Sequence, residues 1–252
     1  MWRKKIFPVF ILGIAFTQLF ILLIHDRQIR HVGNQVQRVT LSRDAFVQID
    51  VDVNIGMEVP IIYKGSGTLI GKINNRNYAL TANHLCNPTL PQFLTQEYKV
   101  HVKTVFITDF SGEVYMGNVV FNSPTNDLCI VEFLGTTNGI PAPIAEEPVF
   151  INEKVYVFAA PTGFFSPHVV PLFDGYYAGD IIDHDGESSV YTMSAVGGSS
   201  GGAILNGDGE IIGIIHSSLV DFHHITLATT HANLVVMLEE YAVLSGVEIL
   251  VP

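Results

Sequence analysis

The chain has 252 residues, 48% of them hydrophobic and 15% charged, the balance of a folded protein rather than a disordered one. Its 24 Asp and Glu against 13 Lys and Arg give a formal net charge of -11, which excludes an extended basic footprint for a nucleic-acid backbone. With a short N-terminal segment set aside, the remainder suits one large all-β domain or two small lobes sharing a core, not a multi-domain enzyme.

From Ile6 to Ile24 no residue is charged, and as a helix this run would span about 28 Å, close to the thickness of a bilayer core. It reads as a transmembrane helix. Arg3, Lys4 and Lys5 precede it, so the positive-inside bias keeps the N-terminus cytoplasmic and sends the rest of the chain outside, to a periplasmic or extracellular space. Arg27 and Arg30 weaken that asymmetry. A cleaved signal peptide is the competing reading, but Leu22-Leu23-Ile24-His25-Asp26-Arg27 lacks the small-residue cleavage pattern. Residues 1–30 are therefore expected to be a membrane anchor and the mostly polar residues 31–45 a linker.

The body opens on Val47-Gln48-Ile49-Asp50-Val51-Asp52-Val53, which alternates at the period of a strand. Similar runs recur near 59–64, 67–73, 100–107, 114–121 and 128–134. Turn formers from Gly135 to Pro143 interrupt, and strand-like runs resume near 154–159, 176–182, 189–193, 203–206, 210–216 and 225–229. Two β lobes are predicted, about 46–140 and 149–230. The period then changes: Leu234, Val235, Leu238, Tyr241 and Ala242 share one helical face, predicting a helix over 231–245 with Gly246 at its C-terminus. Cys86 and Cys129, the only cysteines, lack C-x-x-C spacing and each sits in an apolar stretch, which reads most simply as two buried free thiols.

Acyl transfer by a serine needs a hydroxyl on a sharp turn, a base, an acid to orient the base, and backbone donors for the oxyanion. Gly197-Gly198-Ser199-Ser200-Gly201-Gly202 supplies such a turn between two β runs, although Gly/Ser loops also serve as plain strand connections. Ala79-Leu80-Thr81-Ala82-Asn83-His84 ends an apolar strand in a histidine, and Asn126-Asp127-Leu128-Cys129-Ile130-Val131 starts one with an acid. These segments resemble the T-A-x-H, D-[IL]-x-[IL] and G-x-S-G-G motifs of chymotrypsin/trypsin-like serine proteases, in the same order. Gly65-Ser66-Gly67-Thr68-Leu69-Ile70 resembles a further strand of that family. The likeness runs from about residue 58 to the C-terminal helix and is nearest to bacterial and viral members.

The resemblance implies an all-β fold of two six-stranded antiparallel barrels with a C-terminal helix, here preceded by the transmembrane helix. Residues 46–252 would form the protease domain. It also implies a triad of His84, Asp127 and Ser200, an oxyanion hole from the N–H groups of Gly198 and Ser200, a protein or peptide substrate, and no metal or organic cofactor. Ser200 rather than Ser199 takes the nucleophile's place because it directly precedes Gly-Gly. Ser194, Ile215, His216 and Ser217 are the primary-pocket candidates. None is acidic, which disfavours Lys or Arg in that pocket and favours a small or apolar side chain. His216 invites comparison with glutamate-cleaving relatives, but sits one residue off their register, on the other face of a strand.

Three departures stand out. Ser199 replaces the aspartate that pairs with a newly cut N-terminus in the digestive branch, and Leu85 and Gly65 replace that branch's cystine. Because both cysteines flank triad positions, a Cys86–Cys129 disulfide is the alternative to free thiols. His101, His168, His184, His223, His224 and His231 read as surface groups rather than metal ligands. An esterase of the α/β-hydrolase type shares the G-x-S-x-G pattern but requires the order serine, acid, histidine and alternating helices. A catalytically silent protease-like fold, kept as a membrane-tethered binding module, is the non-enzymatic alternative.

Overall fold

The computed structural model describes residues 41, 43–56, 58–90, 102–183, 186–219 and 221–247. The expected membrane anchor, most of the expected linker, His101 and His184 lie outside these residues. No helix among the described residues is long and apolar enough to cross a membrane.

The first barrel comprises β1 (Phe46–Asn54), β2 (Ile61–Ile73), β3 (Arg76–Ala82), β4 (Val102–Asp109), β5 (Val114–Ser123) and β6 (Leu128–Leu134). These strands run in the order β1-β2-β3-β6-β5-β4, and pairing of β1 with β4 closes the barrel. The second barrel comprises β7 (Lys154–Phe158), β8 (Leu172–Asp183), β9 (Gly186–Tyr191), β10 (Ala203–Leu205), β11 (Ile211–Leu219) and β12 (Phe222–Ala228). Its order, β10-β11-β12-β9-β8-β7, is the same pattern shifted by six strands, although no repeat is visible in the sequence. Closure removes the sheet edges that open antiparallel sheets must otherwise protect.

Alternation puts Val47, Ile49, Val51 and Val53 inside the first barrel with Ile107, Val131 and Phe133. Val155, Val157, Tyr191, Ile204, Ile212 and Ile215 fill the second. A third cluster lies between the barrels, where Phe46, Tyr78, Leu80, Leu128 and Ile130 meet Leu205, Ile211 and Ile214. Strands that serve both a barrel interior and this seam are buried on both faces. Burial is accordingly unbroken from Asn77 to Ala82 in β3 and from Leu128 to Val131 in β6.

A helical turn, α1 (Asn83–Cys86), follows β3, and helix α2 (His231–Ser245) closes the seam. Thr230 accepts a hydrogen bond from the Asn233 N–H at the start of α2, and Gly246 ends it in the left-handed conformation, at φ 65°. The buried face is wider than expected. Met237 joins Leu234, Leu238 and Tyr241, while Val235 and Ala242 are half-buried at its margins.

Two expectations are corrected. The runs near 59–64 and 67–73 are one strand, β2, paired without a break against β1 from Ile61 to Thr68. Gly65 and Gly67 are sites of close packing within it, against the Leu85 side chain and against Val47, Ile49 and Leu80 respectively. The cysteines are also not free thiols: Cys86 and Cys129 form a disulfide, with Cα atoms 6.6 Å apart. The chain turns back after β3, which brings α1 over β6, a proximity that separation along the chain cannot reveal.

Asp109, at the end of β4, is 2% exposed. Its carboxylate accepts hydrogen bonds from Ser111 Oγ (2.6 Å), Thr137 Oγ1 (2.6 Å) and the Ser111 and Glu113 N–H groups (2.9 and 3.1 Å). Burial pushes the carboxyl up, but these donors outweigh it and hold Asp109 below the usual carboxylate range. A depressed folded-state value contributes stability above the unfolded value, lost as pH falls through the folded one. Asp109→Ala should therefore cost about 3 kcal/mol near neutral pH, a fall of about 6–12 °C in Tm. In calorimetry the gap between variant and parent should narrow below about pH 4.

Candidate active site

His84 lies in α1, just past the end of β3, and Asp127 lies just before β6, after a 3-10 turn over Pro124–Asn126. Pairing of Ala82 with Leu128 sets the two segments side by side. Asp127 adopts a left-handed conformation, φ 49°, which aims its side chain at α1 rather than along the strand. Its Oδ2 lies 2.7 Å from His84 Nδ1, its Oδ1 accepts the His84 backbone N–H at 2.8 Å, and its carbonyl accepts the Asn83 N–H at 2.9 Å. An ionised carboxylate can only accept, so Nδ1 carries the proton and, in the neutral ring, Nε2 keeps the lone pair. The imidazole is thereby oriented and tautomerically defined, with 44% of its side chain exposed to meet a reactant.

The glycine-rich loop comes from the second barrel and is clamped by the first. Ser66 in β2 donates its N–H to the Ser200 carbonyl (2.8 Å) and its Oγ to the Gly198 carbonyl (2.8 Å), and that Oγ accepts the Ala160 N–H (2.9 Å). Thr81 in β3 donates its hydroxyl to the Ser66 carbonyl at 2.7 Å. Gly201 sits at φ +84°, and a Cβ there would collide with the Ser66 carbonyl and Thr81 Oγ1, so only glycine lets the loop approach β2 and β3 this closely.

Planar peptides then fix where the N–H groups point. The Gly197 carbonyl accepts the Thr162 N–H at 2.6 Å and the Ser199 carbonyl accepts the Gly202 N–H at 3.0 Å. The N–H of Gly198 and of Ser200, in the same two peptide units, therefore face the opposite way. Among the described residues neither has an acceptor. Two free donors on one loop can bind a developing oxyanion. Ser199 is 2% exposed and its Oγ accepts the Val196 N–H at 3.3 Å, whereas Ser200 is only half-buried. No hydrogen bond joins Ser200 Oγ to His84 among the described residues.

The pocket candidates separate. Ile215 turns its side chain into the second barrel's core, and its backbone N–H and carbonyl are bonded to the Gly202 carbonyl and the Gly201 N–H. His216, on the opposite face, lies 3.1 Å from Ser188 Oγ, and with Ser217 it lines a pocket of about 330 Å³ beside Asp127 that Asn126 and Glu187 also border. Ser194 Oγ lies 2.8 Å from His224 Nδ1. Ser66, Thr81 and the turn Pro161–Gly163 were not singled out by sequence as parts of the site. For the first two the signal was available, since both lie inside the motifs quoted above.

A sequence profile of the trypsin-like peptidase domain matches residues 65–214. The chain belongs to that family. No curated protein matches it by sequence. Among solved structures, the trypsin-like fold is shared with the serine endoprotease from Yersinia pestis, at 20% identity and a TM-score of 0.60, over 81% of this chain and 64% of that one. It is shared too with the active form of the Rv3671c protease from M. tuberculosis, at 18% identity and a TM-score of 0.59, over 79% and 82% respectively. At such identities the likeness is one of fold, a trypsin-like serine protease architecture.

Because Ser66 uses its hydroxyl as both donor and acceptor across the seam, Ser66→Ala should lower stability by about 1–3 kcal/mol. Hydrogen exchange at the Ala160 amide, which loses its acceptor, should accelerate more than exchange within β7.

Proposed function

We propose that the chain is a membrane-tethered serine endopeptidase with His84, Asp127 and Ser200 as its triad. The observation that carries this reading is Asp127 gripping His84 through both ring and backbone, in a trypsin-like fold whose serine loop leaves two N–H groups free. In the proposed reaction Ser200 Oγ attacks the substrate peptide carbonyl while His84 Nε2 takes its proton. The Gly198 and Ser200 N–H groups stabilise the oxyanion, and Asp127 stabilises the imidazolium. His84 then protonates the leaving amine, and a water deprotonated by the same ring hydrolyses the acyl-enzyme. None of these steps uses a metal or organic cofactor.

The tether is proposed from the uncharged run Ile6–Ile24 behind Arg3, Lys4 and Lys5, which would hold the protease domain outside the cytoplasm. None of Ser194, His216 and Ser217 is acidic, which favours a small or apolar residue at the cleaved position over Lys or Arg, while the Glu187 carboxylate that borders the pocket beside His216 and Ser217 favours the reverse.

The full-length protein in detergent should be labelled at Ser200 by a fluorophosphonate probe, as read by mass spectrometry of the modified peptide. Ser200→Ala should abolish labelling, Ser199→Ala should retain it, and Asp127→Asn should slow peptide hydrolysis by about 10⁴-fold. A folded protein that resists the probe would instead be a protease-like binding module.

A further inference from the structure

Cys86 lies two residues after His84, and Cys129 lies two residues after Asp127. The disulfide between them thus spans the same 43 residues as the proposed acid–base pair, shifted by two. Cys129 is anchored inside the sheet, paired with Thr81 of β3 on one side and Asn122 of β5 on the other. Cys86 ends α1, a turn of only four residues with no side-chain cap at its start. So short a helix has almost no stability of its own, because nucleation is not offset by propagation.

The ties holding α1 are unequal. Its two hydrogen bonds to the segment before β6, from the Asn83 and His84 N–H groups, both end on Asp127, the residue whose pairing with His84 is at stake. Leu85 packs over Gly65, where a Cβ would strike its side chain. At one end α1 continues from Ala82, which pairs with Leu128; at the other, Cys86 is bonded to Cys129. His84 is therefore held between two fixings on consecutive residues of β6, facing the residue that immediately precedes them.

We infer that the Cys86–Cys129 disulfide positions His84 against Asp127, so that the pair is assembled in the oxidised chain and slackens when the bond is reduced. The catalytic consequence rests on the protease reading; the positioning does not. Reduction by a dithiol adds two electrons and two protons, giving two thiols while the dithiol closes to its own disulfide. Two thiol sulfurs separate to van der Waals contact. Cys86 is 3% and Cys129 0% exposed, both in the packed core of the first barrel, so the less tightly held partner moves. That partner is α1, which carries His84.

The test compares full-length protein in detergent when oxidised, when reduced with dithiothreitol, and as Cys86→Ala with Cys129→Val, the valine filling its strand position without a thiol. The first readout is the far-downfield proton resonance of an imidazole N–H hydrogen-bonded to a carboxylate, assigned to His84 by its absence in His84→Gln. The second is the rate of fluorophosphonate labelling across pH, with circular dichroism reporting the fold. The resonance should be present in oxidised protein and lost or broadened in the other two forms, labelling should slow at least tenfold with an altered pH profile, and the β signal should persist.

The inference is overturned if resonance and labelling survive complete reduction, verified by alkylation of both thiols. It is also overturned if they disappear only together with the fold, or if air-oxidised protein carries both cysteines as thiols. A resonance that responds to reduction in a protein that never labels would sustain the positioning and remove the protease reading.

Discussion

Ser66 is the point on which the two barrels turn. It is wholly buried in β2, and its N–H, carbonyl and hydroxyl are all bonded: to the Ser200 carbonyl, to Thr81, and to Gly198 and Ala160. Three of these four partners belong to the second barrel and one to the strand that leads to His84. In a buried seam such a network is costly to leave partly satisfied, so the arrangement is either complete or lost. Completing it sets the serine loop in one position relative to β3, and hence relative to the imidazole.

Around that node the division of labour follows from topology. His84 and Asp127 both belong to the first barrel, one just past β3 and the other just before β6, so their pairing is nearly a local matter of β3–β6 register and of the turns that flank it. Ser200 comes from the second barrel, and its distance from His84 is set by how the barrels pack. The apolar cluster between them, with Phe46, Tyr78, Leu128, Ile214 and the buried face of α2, fixes that packing without constraining individual atoms. The polar bonds of Ser66 and Thr81 add the direction that apolar contact lacks.

The serine loop also illustrates how glycine is used. Gly201 permits the approach to β2 and β3, while Gly198, at φ +92°, lies so close to the Pro161–Gly163 turn that a Cβ would fall 2.5 Å from the Ala160 carbonyl. Both requirements concern space and backbone conformation, not chemistry. Bonding of the Gly197 and Ser199 carbonyls to Thr162 and Gly202 turns the N–H groups of the same two peptides the other way, without acceptors among the described residues.

Much of this was legible from residues alone, because it depends on local pattern. Alternation marked β1, continuous apolar runs marked the doubly buried β6, and the helical period with its terminal glycine marked α2. Resemblance of three segments to the T-A-x-H, D-[IL]-x-[IL] and G-x-S-G-G motifs pointed to His84, Asp127 and the glycine loop, and the structure pairs the first two. Contacts between segments far apart in the chain were decided only in three dimensions. The runs near 59–64 and 67–73 looked like two strands until pairing with β1 joined them into β2. Cys86 and Cys129 looked like separate buried thiols until the turn after Ala82 laid one over the other. Ile215 looked available to a substrate until the barrel claimed its side chain and left His216 facing outward. Sequence determined which residues could form strands, turns and an acid–base pair, because those preferences reside in each residue and its neighbours. Register, barrel closure and packing across the seam decided which of them meet, because those depend on atoms that the chain brings together only when it folds.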